Sequence, residues 1–303
     1  MRLLRPAVPL LLLCLCLPAH AGERWDEAEL AGLVTDARLD EISGLAVSHL
    51  HPGVLWVHND SGDGAALHAM SDSGTHLATV EIEGVRNIDW EDLAGFERDG
   101  RRYLLIADTG DNGGIRQTLW LHLVEEPAEV RDQRVRPLRS IQFRWPDGPR
   151  DCEAVAVDAQ RGEILLISKK RTPPELFRLP LDAAAGPVHV AEPIGRLTGI
   201  AQPTPDDLQR NPVFGRYRAQ ITAADISADG RRLAVLNYRT AYVYLRQGDE
   251  GWDRTVARPP VEVPYPWLPQ AEAIGFGPDG RTLWVASEKR PTPLLRVPPQ
   301  QGD

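Results

Sequence analysis

Cysteine is almost missing from this chain: there are three in 303 residues. Two of them, Cys14 and Cys16, fall in an N-terminal stretch expected to be removed, which leaves Cys152 alone and excludes an internal disulfide. Positive charge is also short, with Lys+Arg 34 against Asp+Glu 43 and a net charge of −9. Nucleic acid and anionic membrane surfaces are therefore not expected partners. Long apolar runs are confined to the first 20 residues, so no integral membrane insertion of the mature chain is expected. Past residue 40 no amphipathic helix pattern longer than two turns can be drawn, which argues against a doubly wound α/β fold. No GxSxG, HExxH, Walker loop, dinucleotide-binding glycine motif or CxxC occurs.

What remains is ample for a core, at 42% apolar residues, punctuated by 26 Gly and 26 Pro that suit many short strands. The start reads MRLLR, then PAVPLLLLCLCLP, then AHA: basic, apolar, then small-x-small, the layout of a secretory signal peptide with cleavage after Ala21. Pro9 and Pro18 interrupt the apolar run, and Leu13 and Leu15 stand where lipid attachment at Cys14 or Cys16 would want a small residue. The expected organisation is a signal segment, 1–21, and one domain, 22–303, in the periplasm or secreted, as a monomer.

One phrase recurs along that domain: an alternating apolar strand, a turn with Gly, and a second apolar strand ending in polar residues. The copies are ISGLAVSHLHPGVLWVHND, WEDLAGFERDGRRYLLIAD, CEAVAVDAQRGEILLISKK, ITAADISADGRRLAVLNYR and AEAIGFGPDGRTLWVASEK. Each reads as a hairpin with period-2 alternation. Aligning Gly53, Gly100, Gly162, Gly230 and Gly280 puts Ser43, Glu91, Glu153, Thr222 and Glu272 in one column, at steps of 48 to 69 residues. A four-stranded propeller blade takes about 40 to 50 residues, so the expected fold is all-β, a five-bladed β-propeller. The last blade lacks an outer strand, which AELAGLVTD near the N-terminus would supply, closing the ring. The stretch 201–219 reads as an inserted loop, with a degenerate sixth blade as the alternative.

The innermost strand of each blade lines the channel, so the column forms a ring around the axis. Three converging carboxylates repel one another unless a cation sits among them. Calcium suits an irregular set of oxygen donors, whereas magnesium demands a tighter octahedron and zinc prefers nitrogen or sulfur. The expected ligands are Glu91, Glu153 and Glu272, completed by Ser43 and Thr222. Glu41, Asp89, Asp92, Asp151 and Asp225 are expected to add negative potential. At the ends of the second strands a mouth is expected, with Asn59, His58 and Asp108 as candidate bases and a positive arc of Lys169, Lys170, Arg171, Arg239, Lys289 and Arg290.

In their order, EISGLAV, DWEDLA with YLLIADTGDN, CEAVAVD with LLISKK, TAADIS with LAVLNYR, and PQAEAIGF with LWVASEK resemble the SdiA-regulated family of bacterial secreted β-propellers. That resemblance implies an exported propeller with a calcium ion in its channel and no established catalytic activity. More distantly, the column is similar to the Ser/Glu/Glu/Ser/Glu ring of calcium-activated nucleotidases, or apyrases, with Thr222 in place of the second serine. Phytase-like and lactonase-like calcium propellers share the architecture. Two functions follow as expectations. One is a calcium-stiffened binding protein that takes a small anionic ligand or a protein partner at its mouth. The other is a calcium-dependent hydrolase of phosphoesters or lactones, with Asp108 or His58 as acid or base and Lys169 or Arg239 stabilising developing charge.

Overall fold

All five turn glycines of the repeat have positive φ, between 63° and 77°, a conformation that glycine adopts without steric cost. In the computed structural model, which describes residues 22–301, each of these turns joins two antiparallel strands. The expected signal segment, 1–21, lies outside the described residues. The pairs are Ile42–Val47 with Val54–Asn59, Trp90–Arg98 with Arg101–Asp108, Ala154–Asp158 with Glu163–Ile167, Ile221–Ile226 with Arg232–Asn237, and Ala271–Phe276 with Leu283–Ser287. Third strands, Ala66–Ser71, Leu119–Glu125, Glu175–Pro180, Thr240–Leu245 and Thr292–Val297, add on the outside of each pair.

Five sheets result, and they are the blades of a β-propeller. Blades one to four take their fourth strand from the chain that follows, at His76–Ile82, Arg139–Arg144, Glu192–Arg196 and Val261–Pro264. Blade five does otherwise. Its outer strand is Glu29–Val34, which runs antiparallel to Thr292–Val297 with Glu29 opposite Arg296 and Val34 opposite Thr292. The ring is thus closed by the N-terminal strand, as expected from AELAGLVTD.

The core lies between the blades. Five clusters of buried apolar side chains fill the five gaps. Phe96 and Leu105 of blade two meet Ile164 and Phe177 of blade three, and Leu45 and Met70 of blade one meet Ala273 and Leu294 of blade five. Both faces of each inner strand are covered, which is why Ile42–Val47, Ile221–Ile226 and Ala271–Phe276 are buried along their whole length.

The stretch 201–219 forms no sixth blade. It carries one short helix, Pro205–Arg210, capped by Thr204, and a single 3-10 turn, Gly215–Tyr217. Two three-residue strands are additions that alternation cannot reveal. Gln133–Val135 runs parallel to the outer strand of blade one, and Val188–Val190 runs parallel to that of blade two. Each covers the edge of the preceding blade with a piece of the next connection. Among the described residues no helix is long and apolar enough to cross a membrane.

Candidate metal centre at the channel mouth

At the mouth end of four inner strands the pairing register slips by one residue, between Ile42 and Gly44, Trp90 and Asp92, Ile221 and Ala223, and Ala271 and Ala273. The extra residues are Ser43, Glu91, Thr222 and Glu272. A bulge breaks the up-down alternation and re-aims one side chain, so four of the five column positions owe their direction to the same local device. Glu153 stands directly before its strand, Ala154–Asp158. All five side chains are taken out of water, with between 1% and 7% of each residue exposed.

The two hydroxyls stitch blades together. Ser43 Oγ donates to the Glu91 carbonyl at 3.0 Å and Thr222 Oγ1 to the Ala271 carbonyl at 2.7 Å, each on the next blade. Thr109 Oγ1 does the same toward Cys152 at 2.7 Å.

The carboxylates of blades one to three gather into two groups that share Glu91, and Glu272 belongs to neither. Oxygens of Glu91, Asp151 and Glu153 lie within 4.8 Å of one another, and Glu91 forms a second such group with Asp60 and Asp89. Gly110 makes the approach fit: a Cβ there would stand 2.1 Å from Glu91 Oε1 and 2.4 Å from Asp89 Oδ2. Asp151 is held by the Asp111 N–H at 2.8 Å and faces Lys170 Nζ, also at 2.8 Å. Glu272 accepts from the Tyr238 hydroxyl at 3.0 Å. Glu153 Oε1 carries the Lys169 ammonium, while its Oε2 is buried with no hydrogen-bond partner.

The electrostatics follow from this crowding. Burial pushes the Glu91 carboxyl well above the usual range, and Asp60 and Asp89 push it further while Lys169 opposes them. Burial and then Glu288 raise Glu272 to about 7. Asp89 rises to about 6, through burial and then Asp60. Carboxyl groups held this high are short of positive charge.

The structure disposes the remaining expected residues differently. Asp108 is buried and bound by Arg116 Nη2 at 2.7 Å, so it does not stand open as a base. His58 lies inside its blade and not at the mouth. It is fully buried, its Nδ1 is 3.0 Å from the Asn59 carbonyl, its ring meets the Trp90 edge at 5.5 Å, and burial lowers its pKa. Gly44 leaves room for it, since a Cβ at 44 would stand 2.3 Å from His58 Nε2.

The positive arc is largely neutralised: Lys170 faces Asp151, Lys289 faces Glu41 at 3.0 Å, Arg290 faces Asp40 at 2.5 Å, and Arg171 lies 3.8 Å from Glu175. Arg239 stays exposed on its turn. Asp92 and Asp225 do not face the mouth but accept backbone N–H groups deeper in the channel: Asp92 from Leu93, Val155 and Ala224, Asp225 from Ile226 and Phe276. Sequence reasoning missed Gly110 as a cradle. It also missed the exposed apolar residues Ile88, Ile115 and Trp267, which stand on loops at this same end.

No protein-family model and no curated protein matches the sequence. Among solved structures the chain is similar to one of a nidogen/laminin complex, at 12% identity over 81% of this chain and 72% of that one, with a TM-score of 0.45. It is also similar to a luciferin-regenerating enzyme, at 11% identity over 91% and 95% of the two chains and a TM-score of 0.45. A third similar structure is hydrazine synthase of Kuenenia stuttgartiensis, at 10% identity over 83% and 69%, with a TM-score of 0.43. At identities this low the likenesses bear on neither ligand nor reaction.

Proposed function

We propose that the chain is an exported, monomeric, calcium-binding β-propeller that takes a small anionic ligand or protein partner at its channel mouth, akin to the SdiA-regulated propellers its motifs resemble. The reading is carried by one observation: Glu153 Oε2, buried and without a hydrogen-bond partner, in a group with Glu91 and Asp151 whose oxygens lie within 4.8 Å. An unpaired carboxylate oxygen out of water is costly unless a cation meets it. The proposed donors are all oxygens: Glu91, Glu153 and Asp151 of this group, completed from around the ring by Glu272 and by the hydroxyls of Ser43 and Thr222, which keep lone pairs free while donating to carbonyls. That set suits calcium, and the absence of imidazole or thiolate disfavours zinc. When bound, the ion would neutralise the ring and offer a positive anchor for an anionic oxygen.

Binding is favoured over hydrolysis because neither of the two titratable groups expected to serve as acid or base is open to a substrate. Asp108 is engaged by Arg116, and His58 is sealed inside its blade. Titrating calcium into EGTA-stripped protein by calorimetry tests the reading. One saturable site is expected, weakened at least about tenfold in Glu153→Gln through loss of ligand charge. Protein that shows no binding heat and carries no metal when purified contradicts it.

A further inference from the structure

Lysine is scarce in this chain. Of 34 Lys and Arg residues only Lys169, Lys170 and Lys289 are lysines, and each lies against a carboxylate of the channel mouth. Lys170 Nζ is 2.8 Å from Asp151, Lys289 Nζ is 3.0 Å from Glu41 and 3.2 Å from Glu288, and Lys169 sits on Glu153. Elsewhere the fold joins its blades and edges with arginine forks, as in Arg98 on Asp182 and Arg232 on Glu23. A guanidinium fork fixes a carboxylate in two parallel hydrogen bonds. An ammonium is a compact point charge on a flexible stem and gives up its partner more readily.

Lys169 differs from the other two in depth. Its side chain is 8% exposed, against 39% for Lys170 and 48% for Lys289. The ammonium touches Glu153 Oε1 and stands 6.0 Å from the centre of the Tyr238 ring, whose hydroxyl holds Glu272. It therefore pairs with one ring glutamate and stands beside the tyrosine that holds another. Its backbone is fixed by the Lys169 N–H to the Asp151 carbonyl at 3.1 Å, so only the side chain is free to leave. A divalent ion on Glu91 and Glu153 would sit against this ammonium in a poorly screened interior, where like charges repel strongly.

We infer that Lys169 is the ring's own exchangeable cation: it neutralises the glutamates when no metal is bound, and its side chain swings out to the mouth surface when calcium takes them. The inference rests on the calcium reading above. It makes the calcium affinity of the wild type the outcome of a competition between a tethered ammonium and a free divalent ion.

With only three lysines, the exchange can be read residue by residue. Protein starting at residue 22 is treated with an amine-acylating reagent in EGTA and in calcium at a concentration calorimetry shows to be saturating, and each lysine is followed by mass spectrometry. Lys170 and Lys289 are expected to react in both conditions. Lys169 is expected to be protected in EGTA and to react roughly tenfold faster or more in calcium, within the range of coupling between sites. Lys169→Met, freed of the competitor, is expected to bind calcium about tenfold more tightly. Calcium binding by the wild type with Lys169 still protected, or a Lys169→Met protein whose affinity is unchanged or weaker, overturns the exchange and leaves the calcium site standing. Absence of calcium binding in both wild type and Lys169→Met overturns the site itself, and the exchange with it.

Discussion

Asp92 Oδ2 accepts the backbone N–H of Ala224 at 3.1 Å, a contact between blades two and four and across 132 residues of sequence. The same oxygen accepts from Val155 of blade three at 2.8 Å, and Oδ1 accepts from Leu93 at 2.9 Å. One carboxylate therefore fixes three blades at the axis. Asp92→Ala strands buried N–H groups, each at a cost of roughly 1–3 kcal/mol. The expected loss is about 3 kcal/mol or more, a drop in unfolding midpoint of roughly 6 °C or more. Asp92→Asn keeps an acceptor and should lose less. A midpoint unchanged in Asp92→Ala would show that the N–H groups find other partners.

Gly110 offers a test of the metal centre that removes no carboxylate. A Cβ at this position would meet Glu91 Oε1 at 2.1 Å and Asp89 Oδ2 at 2.4 Å, so Gly110→Ala must displace both. Calcium affinity is expected to fall at least about tenfold, since rigidity and ligand placement set affinity in such sites. Unfolding in EGTA should change by less than calcium binding does. Equal affinity in Gly110→Ala and wild type would remove Glu91 from the ligand set.

Ring closure has its own test. Deleting residues 22–34 removes the outer strand of blade five and uncovers the edge of Thr292–Val297, together with the apolar cluster that includes Val34 and Leu294. An uncovered edge strand pairs with other chains. The truncated protein is expected to aggregate or to lose its single cooperative transition, read by light scattering and circular dichroism. A monomeric truncation with wild-type stability would contradict the closure.

Two buried histidines set an acid limit to stability. Desolvation lowers His122, whose ring stacks on Trp120 at 6.0 Å, to about 4, and desolvation together with the nearby His76 lowers His68 to about 4. In the unfolded chain both titrate near the ordinary value of 6.5. A base depressed by folding contributes fully above 6.5 and loses that contribution as pH falls toward 4, because the unfolded chain takes up protons the folded one refuses. His122→Phe should therefore flatten the acid limb by about 2 kcal/mol between pH 7 and 4.5. Parallel pH profiles for the two proteins would rule His122 out.

Much of this was visible in the sequence because it recurs. The turn glycines from Gly53 to Gly280, the ring column from Ser43 to Glu272 and the closing strand in AELAGLVTD all follow from repetition and from a fifth blade one strand short. Single events were not visible. A bulge at Glu91 or Thr222 adds one residue without marking the composition, so the residues that follow, such as Asp92, turn inward to backbone N–H groups instead of toward the mouth. His58 is the next-to-last residue of a strand whose end looks exposed until the neighbouring blade covers it. Lys169 read as a surface cation, and only its scarcity among many arginines set it apart.

The most direct test of the calcium centre is thermal unfolding of residues 22–303 in EGTA and then across a calcium titration, with magnesium as control. A ligand at 1,000 times its dissociation constant adds about 4 kcal/mol, which moves the midpoint of a domain this size by roughly 8 to 16 °C. A saturable rise with calcium and not with magnesium, lost in Glu153→Gln, is the predicted result. A flat response to calcium in wild type and in Lys169→Met alike would contradict it and leave the acidic column a structural feature of the ring.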